Sequence, residues 1–183
     1  MPVIRYPSPL GMLTLEADTN GLTGLYLPRR APQYTAASLA LDCDPILDEA
    51  CRQLDQYFAG KRQQFSLPLA LHGTSFQRRV WAALQTIPYG HTASYQTISN
   101  AIGNPKANQA VGGANGKNPI SIIIPCHRII GRQGQLIGYG GGLAAKQALL
   151  MWEATGEWPT TLPSPQSGKD KAFGWRLTTP LTL

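Results

Sequence analysis

The 183-residue chain has room for one ordinary domain or two small ones, and its 43% apolar content is normal for a folded, soluble protein. No apolar run nears the roughly 20 residues that cross a bilayer, and Met1-Pro2-Val3-Ile4-Arg5 has no signal-peptide layout, so the expected setting is the cytoplasm, on the nucleoid, or the nucleus of a eukaryote. The net charge of +6 is unevenly spread: no Asp or Glu stands between Asp55 and Glu153, a stretch that holds nine cations from Lys61 to Lys146, and such a field suits a polyanion, nucleic acid before a merely basic surface.

In chain order, Leu13–Ala17 and Leu22–Leu27 flank Asp18-Thr19-Asn20-Gly21, and the Asn-Gly pair predicts a hairpin. Residues 28–40 read as loop. Leu47, Cys51, Leu54 and Phe58 recur at helical spacing up to Gly60, which places Cys51 in the core. Phe65, Leu67, Leu69 and Leu71 alternate as a strand would, and Pro68 assigns that strand to an edge. Residues 1–73 are therefore expected to form an α/β domain, a small antiparallel sheet plus helices.

A second domain is expected over 74–158. Thr74 and Gln77 have the spacing of a capping box for a helix with Phe76, Val80 and Leu84, which Pro88-Tyr89-Gly90 ends. Ser94 can cap a helix with Tyr95, Ile98 and Ile102, stopped by Gly103-Asn104-Pro105, and a further helix runs from about Lys106 to Asn115. Two short helices across a tight turn resemble a helix-turn-helix. A strand over 120–124 and a hairpin around Gly131–Gly134 would make the domain winged and mainly α, with a last helix over about 144–155. From 159 to 183 the chain reads as a Pro-, Ser- and Thr-rich tail in which Phe173 and Trp175 are candidates for docking.

The 106–115 helix contains Gly112 and Gly113, each costing roughly 1 kcal/mol relative to alanine in a helix interior. Small residues allow either close helix packing or approach to a groove narrower than the major groove. From these residues the two readings stand level.

Three cysteines, Cys43, Cys51 and Cys126, match neither a disulfide framework nor a zinc pattern, and no metal or cofactor is expected. Cys43 lies between two aspartates, which disfavour a thiolate. Cys126 follows Ile124-Pro125 and precedes His127-Arg128, where an imidazole and a cation favour one.

These residues resemble the O6-alkylguanine-DNA alkyltransferases, also called methylated-DNA–protein-cysteine methyltransferases. The resemblance rests on Ile124-Pro125-Cys126-His127-Arg128 together with Asn118-Pro119, Gly138-Tyr139, Gly141-Gly142, Lys146, Leu149-Leu150 and Glu153. Upstream, Phe76-Gln77, Val80-Trp81, Ile87-Pro88-Tyr89-Gly90, Ser94-Tyr95 and Ala110-Val111-Gly112 also fit. It is strong over 74–156 and only in outline before that.

The resemblance implies repair of double-stranded DNA containing alkylated guanine, and alkylated thymine, by a monomer. The small-residue helix would enter the minor groove with the damaged base flipped out, because the alkylated oxygen is out of reach within the stack. Carried over, Cys126 accepts the alkyl group, His127 acts as base through a water, Glu153 orients the imidazole, Asn118 holds the cysteine region, and Tyr95 donates to the guanine. Gln109, Ala107, Ala110, Gly112 and Arg128 count among the DNA-contacting residues. Tyr139 forms a pocket wall, with backbone N–H groups near Gly140 facing the guanine oxygen. The thioether on Cys126 is stable, so each molecule reacts once.

Two residues depart from the family pattern. Gln109 stands where the family usually has arginine, which predicts weaker DNA binding or base extrusion. Gly140 replaces a hydroxyl-bearing residue of some relatives, which predicts a wider pocket. Two rivals stay open on residues alone: a Cys-His-Glu thiol hydrolase, which would release its acyl group, and a DNA-binding lesion sensor, which would not need Cys126.

Overall fold

The structure, a computed structural model, describes residues 1–35 and 44–160. Cys43 and the tail from residue 161 lie outside the described residues. The chain divides into two compact units, one of Met1–His72 with Pro119–Ile123, the other of Gly73–Asn118 with the chain from Ile124. No helix among the described residues is long and apolar enough to cross a membrane.

In the first unit, strands β1 (Val3–Ser8), β2 (Gly11–Asp18) and β3 (Gly21–Tyr26) form an antiparallel sheet in sequence order. The expected hairpin joins β2 to β3. Its turn is held by Asp18, whose Oδ1 accepts from the amides of Asn20 at 2.7 Å and Gly21 at 3.1 Å. β1, which carries no such turn signature, pairs with β2 from Val3↔Glu16 to Ser8↔Gly11.

Helix α1 (Pro45–Phe58) starts at Asp44, whose carboxylate caps the amides of Ile46 and Leu47. It buries Leu47, Ala50, Leu54 and Tyr57, which keeps Leu47 and Leu54 of the expected 47/51/54/58 stripe and puts Ala50 and Tyr57 in place of Cys51 and Phe58. Cys51 is therefore only half-buried, and burial with nearby Asp55 and Asp48 pushes its thiol up to about 11.

The expected edge strand over 65–71 reduces to a parallel bridge between Leu69 and Leu22. The reason is Gln53 of α1. Its fully buried amide pairs with the Ser66 backbone, donating to Ser66 O at 3.0 Å and accepting from Ser66 N at 2.8 Å, so a side chain replaces the ladder.

In the second unit, α2 (Ser75–Gln85) has the expected capping box: Thr74 Oγ1 accepts from Gln77 N, and Thr74 N donates to Gln77 Oε1 at 2.9 Å. Ser94 caps α3 (Tyr95–Ala101), and α4 (Asn108–Gly116) starts two residues later than expected. Trp81 on α2 donates its indole N–H to Ala114 O of α4 at 2.9 Å and pins the two helices. Helix α5 (Leu143–Thr155) closes on Gly156, whose left-handed φ of +73° suits glycine. Trp158 follows it and stacks on Trp152, with ring centroids 5.0 Å apart.

The expected strand over 120–124 and the hairpin wing are not present. Ile120 makes a single bridge to Leu25, and Ile122 then takes φ +69° while Ile123 N bonds Ser121 O at 2.8 Å. That is a γ-turn of the rarer, φ-positive kind, strained for a β-branched residue by about 1–3 kcal/mol. A relaxed γ-turn follows at Pro125, with φ −79°, ψ 60° and Cys126 N bonded to Ile124 O at 2.7 Å. A run of isoleucines thus reads as a strand by propensity, yet two turns break it. Downstream, β5 (Ile129–Ile130) pairs in parallel with β4 (Ala93–Ser94), and residues 131–135 close a turn without a partner strand.

Candidate active site

Cys126 opens a one-turn 3₁₀ helix, Cys126–Arg128, inside a run from Ser121 to Ile130 that is buried throughout. Its residue is only 4% exposed. Asn118 defines its surroundings: Nδ2 lies 3.0 Å from Cys126 Sγ and 2.9 Å from Ile124 O. An amide N–H aimed at sulfur stabilises the thiolate relative to the thiol. Asn115 on α4 lies close as well, with Nδ2 3.5 Å from Cys126 O and a buried Oδ1 that has no hydrogen-bond partner.

Cys126 and His127 lie beyond the expected 120–124 strand, on the 3₁₀ turn. There, successive side chains are about 120° apart. His127 turns fully inward and its Nε2 lies 2.8 Å from Glu153 Oε1 on α5. Burial is the largest influence on His127 and pushes its pKa below the ordinary value, against the opposing pull of Glu153. For Glu153, burial acts upward, but the bonds and charges of His127 and Arg128 outweigh it and hold the carboxyl well below the usual range. The consistent assignment is a carboxylate accepting Nε2–H from a neutral imidazole. His127 Nδ1 is then a lone pair, buried and without a hydrogen-bond partner.

Arg128 takes a different place from the DNA-contacting one expected. It is buried, with Nε 2.8 Å from Glu153 Oε2 and Nη2 2.9 Å from Oε1, a two-pronged grip on the carboxylate. Nη1 donates to Ile87 O at 2.6 Å, and Tyr89 offers its ring face 5.8 Å away. The Gly90 amide, 3.3 Å from Glu153 Oε2, completes the carboxylate's shell. Gly90 has φ +72°, and a Cβ there would meet Glu153 O at 3.0 Å, so the Pro88-Tyr89-Gly90 turn is shaped to approach α5. Sequence reasoning missed Arg128 and Gly90 as supports. The available signal was that one isolated acid, Glu153, had to balance a cation adjacent to the histidine.

Lys146 is the second ion on α5 to be buried, two turns before Glu153. Its Nζ donates to Ile137 O at 2.7 Å and Gly138 O at 3.4 Å, and burial pushes its pKa down to about 8. Tyr95 at the start of α3 directs its hydroxyl to the same Ile137 O at 3.4 Å, with its pKa raised by burial and by the Cys126 charge. Tyr139 and Gly140 lie half-buried on that loop, and the Tyr139 ring stands edge-on to His127 at 6.5 Å.

Gln109, Ala110 and Gly113 form the exposed face of α4, whereas Ala107 and Gly112 are half-buried. A Cβ on Gly112 would touch the Tyr95 ring at 3.7 Å, and one on Gly113 would meet nothing within 4 Å. Internal packing therefore does not account for Gly113. Arg78, Arg79, Lys106, Lys117 and Arg132 are exposed in the same unit. His91 is exposed, and its ring nitrogen lies against Tyr89 O. His72 belongs to the other unit, where it pairs with Asp18 at 3.5 Å. Among the described residues, no cluster of His, Cys, Asp and Glu is arranged to hold a metal.

Two family models match the chain. The ribonuclease-like domain of 6-O-methylguanine DNA methyltransferase covers residues 4–71, and the DNA-binding domain of the same family covers residues 75–155. A methylated-DNA–protein-cysteine methyltransferase of Mycolicibacterium paratuberculosis is 50% identical over 147 residues, 80% of this chain and 88% of the relative. One from Methanosarcina acetivorans is 44% identical over 150 residues, 82% of this chain and 96% of the relative. A crystal structure of Mycobacterium tuberculosis OGT in complex with DNA superposes with a TM-score of 0.76 at 46% identity, covering 85% of this chain and 94% of that one. Matched in both halves, the chain belongs to the 6-O-methylguanine DNA methyltransferase, or methylated-DNA–protein-cysteine methyltransferase, family.

Proposed function

We propose that this protein repairs double-stranded DNA by moving an alkyl group from O6 of guanine, and from O4 of thymine, to Cys126 in a single irreversible step. The observation that carries the reading is a buried Cys126 beside a buried His127 whose ring is bonded to Glu153. The cysteine has an amide donor on its sulfur, and the adjacent histidine has one nitrogen fixed by a carboxylate and the other an open lone pair.

A water between Cys126 Sγ and His127 Nδ1 takes the thiol proton to the imidazole, and the Glu153 carboxylate stabilises the cation that forms. The sulfur lone pair attacks the alkyl carbon. A carbon–sulfur bond forms, the carbon–O6 bond breaks, and its electron pair leaves on the guanine. Tyr95 donates a proton to the purine and recovers one from the relay, so the thiol proton ends on the repaired base. A thioether has no route back to a thiol here, and one molecule repairs one lesion.

The target base must leave the helix to meet a buried sulfur. The exposed α4 face, with Gln109 at its start and Gly113 open, fits the minor groove, and the exposed cations of the same unit supply phosphate attraction. Gly140 leaves the pocket room for alkyl groups larger than methyl. The protein acts as a monomer, in the cytoplasm or wherever the DNA lies.

Intact mass after exposure to a duplex containing O6-methylguanine tests the reading. A gain of one methyl, mapped to Cys126 and absent in Cys126→Ala, is expected. Lesion binding with no mass gain would replace it by a sensor, and a transient adduct by a hydrolase.

A further inference from the structure

Four polar side chains on α3 and α4 form a continuous chain of hydrogen bonds that the acceptor chemistry does not use. Ser99 Oγ donates to Asn108 Oδ1 at 2.6 Å, and Asn108 Nδ2 donates to Gln96 Oε1 at 2.7 Å. Gln96 Nε2 then donates to Pro105 O at 2.9 Å and to Asn100 Oδ1 at 3.0 Å. The Pro105 carbonyl can only accept, which fixes the orientation of the Gln96 amide and, through it, that of Asn108.

Both donors of Gln96 Nε2 are therefore engaged, and the Asn108 amide bonds at both ends, its oxygen to Ser99 and its nitrogen to Gln96, although its residue is exposed. Both amides are thus committed to each other and to the turn. Ser99 at the far end is fully buried, so the chain runs from the core to the first residue of α4. That start has no side-chain cap: Ala107 occupies the cap position, is held by its own N–H on Asn104 O at 3.0 Å, and offers no side-chain bond to the helix amides. The turn between the helices contains Gly103 at φ +69°, where main-chain bonds from Gly103 N to Asn100 O and from Asn104 N to Ser99 O, both 2.9 Å, close the end of α3, and the side-chain network adds a tie from α3 to α4 itself.

We propose that Asn108, with Ser99 and Gln96, is a positioning device that sets the first turn of α4, and hence Gln109, before DNA arrives. It rests on the reading that α4 is the DNA-facing helix. The network is neutral, so it neither competes for phosphates nor weakens with salt as an ion pair would. Its effect is preorganisation: the free protein already holds the turn in the form that DNA requires, and the ordering cost at binding falls.

The test compares Asn108→Ala, Ser99→Ala and the double variant. Three measurements are made: affinity for a duplex containing O6-methylguanine, transfer from free O6-benzylguanine to Cys126 by mass, and amide exchange over residues 102–110 without DNA. Each single variant is expected to bind the duplex about five- to tenfold more weakly, the scale of one or two net hydrogen bonds. The double variant should be no weaker than the worse single, because both cut one chain. Exchange over 102–110 should speed up, and transfer from the free base should stay within twofold of native. Ser99 is too buried to touch DNA, so native affinity in Ser99→Ala would overturn the proposal, as would unchanged exchange in either variant or an equal fall in free-base transfer. If the native protein transfers no alkyl group at all, the functional reading fails, while the exchange measurement still decides the clamp.

Discussion

Replacing Glu153 by glutamine separates what holds the site together from what makes it react. The carboxylate accepts from His127 Nε2, from Arg128 Nε and Nη2, and from the Gly90 amide, all at 2.8–3.3 Å. In Glu153→Gln one carboxylate oxygen becomes an N–H₂ group that faces donors on either side, and the buried Arg128 loses its counter-charge. Breaking one partner of a buried pair costs about 3–5 kcal/mol. That is a large part of the roughly 5–15 kcal/mol that holds a domain folded. For a chain of this size it predicts a melting temperature lower by about 6–20 °C.

The double variant Glu153→Gln/Arg128→Met removes both charges and fills the space with an apolar chain. It should recover most of the lost stability. It should not recover transfer, because His127 has lost the anion that fixes its tautomer and stabilises the imidazolium. Calorimetry reads the first effect, and the rate of methyl gain on Cys126 reads the second. A loss below about 1 kcal/mol in Glu153→Gln would refute the buried-pair argument. Native-rate transfer in the double variant would refute the role given to Glu153.

Other outcomes follow from the same geometry. His127 has a folded pKa below its ordinary value near 6.5, so the unfolded chain takes up the proton first as pH falls. Stability should therefore drop from pH about 6.5 downward, and His127→Gln should lack that slope in urea titrations. Glu153 has a depressed folded pKa, so its contribution is present above the ordinary carboxylate range near pH 4.3 and fades as pH falls further towards the folded value.

Lys146 carries its proton against burial, with a folded pKa of about 8. Lys146→Met should be no less stable than native at pH 7, with a gain of at most roughly 3 kcal/mol less the lost bonds to the loop. The native protein should close that gap as pH rises from about 8 to about 10, and a variant that melts lower at pH 7 would contradict it. Gly113→Ala should stabilise the fold by up to about 1 kcal/mol, since nothing obstructs the methyl group, yet weaken duplex binding. Equal or tighter binding would remove this face of α4 from the DNA interface. Gln109→Arg should tighten duplex binding and steepen its salt dependence by about one ion, and unchanged affinity would show that this position does not limit binding.

The sequence by itself determined the local features. The Asp18–Gly21 turn, the Thr74–Gln77 capping box, the Ser94 cap and the Gly156 stop each depend on residues a few positions apart. The Pro-Cys-His-Arg line and its flanks were legible for the same reason. Tertiary structure decided the rest, because those partners meet only on folding. Burial ended the expected role of Arg128 on DNA, since a buried guanidinium whose donors are taken up by Glu153 and Ile87 O does not reach a phosphate. The isoleucine run shows the limit most clearly. Its β-propensity favours a strand, but Ile122 is forced to positive φ and Pro125 turns again, placing Cys126 on a 3₁₀ turn. Propensity weighs one residue at a time, whereas the strain at Ile122 is supported by packing and hydrogen bonds contributed from distant parts of the chain.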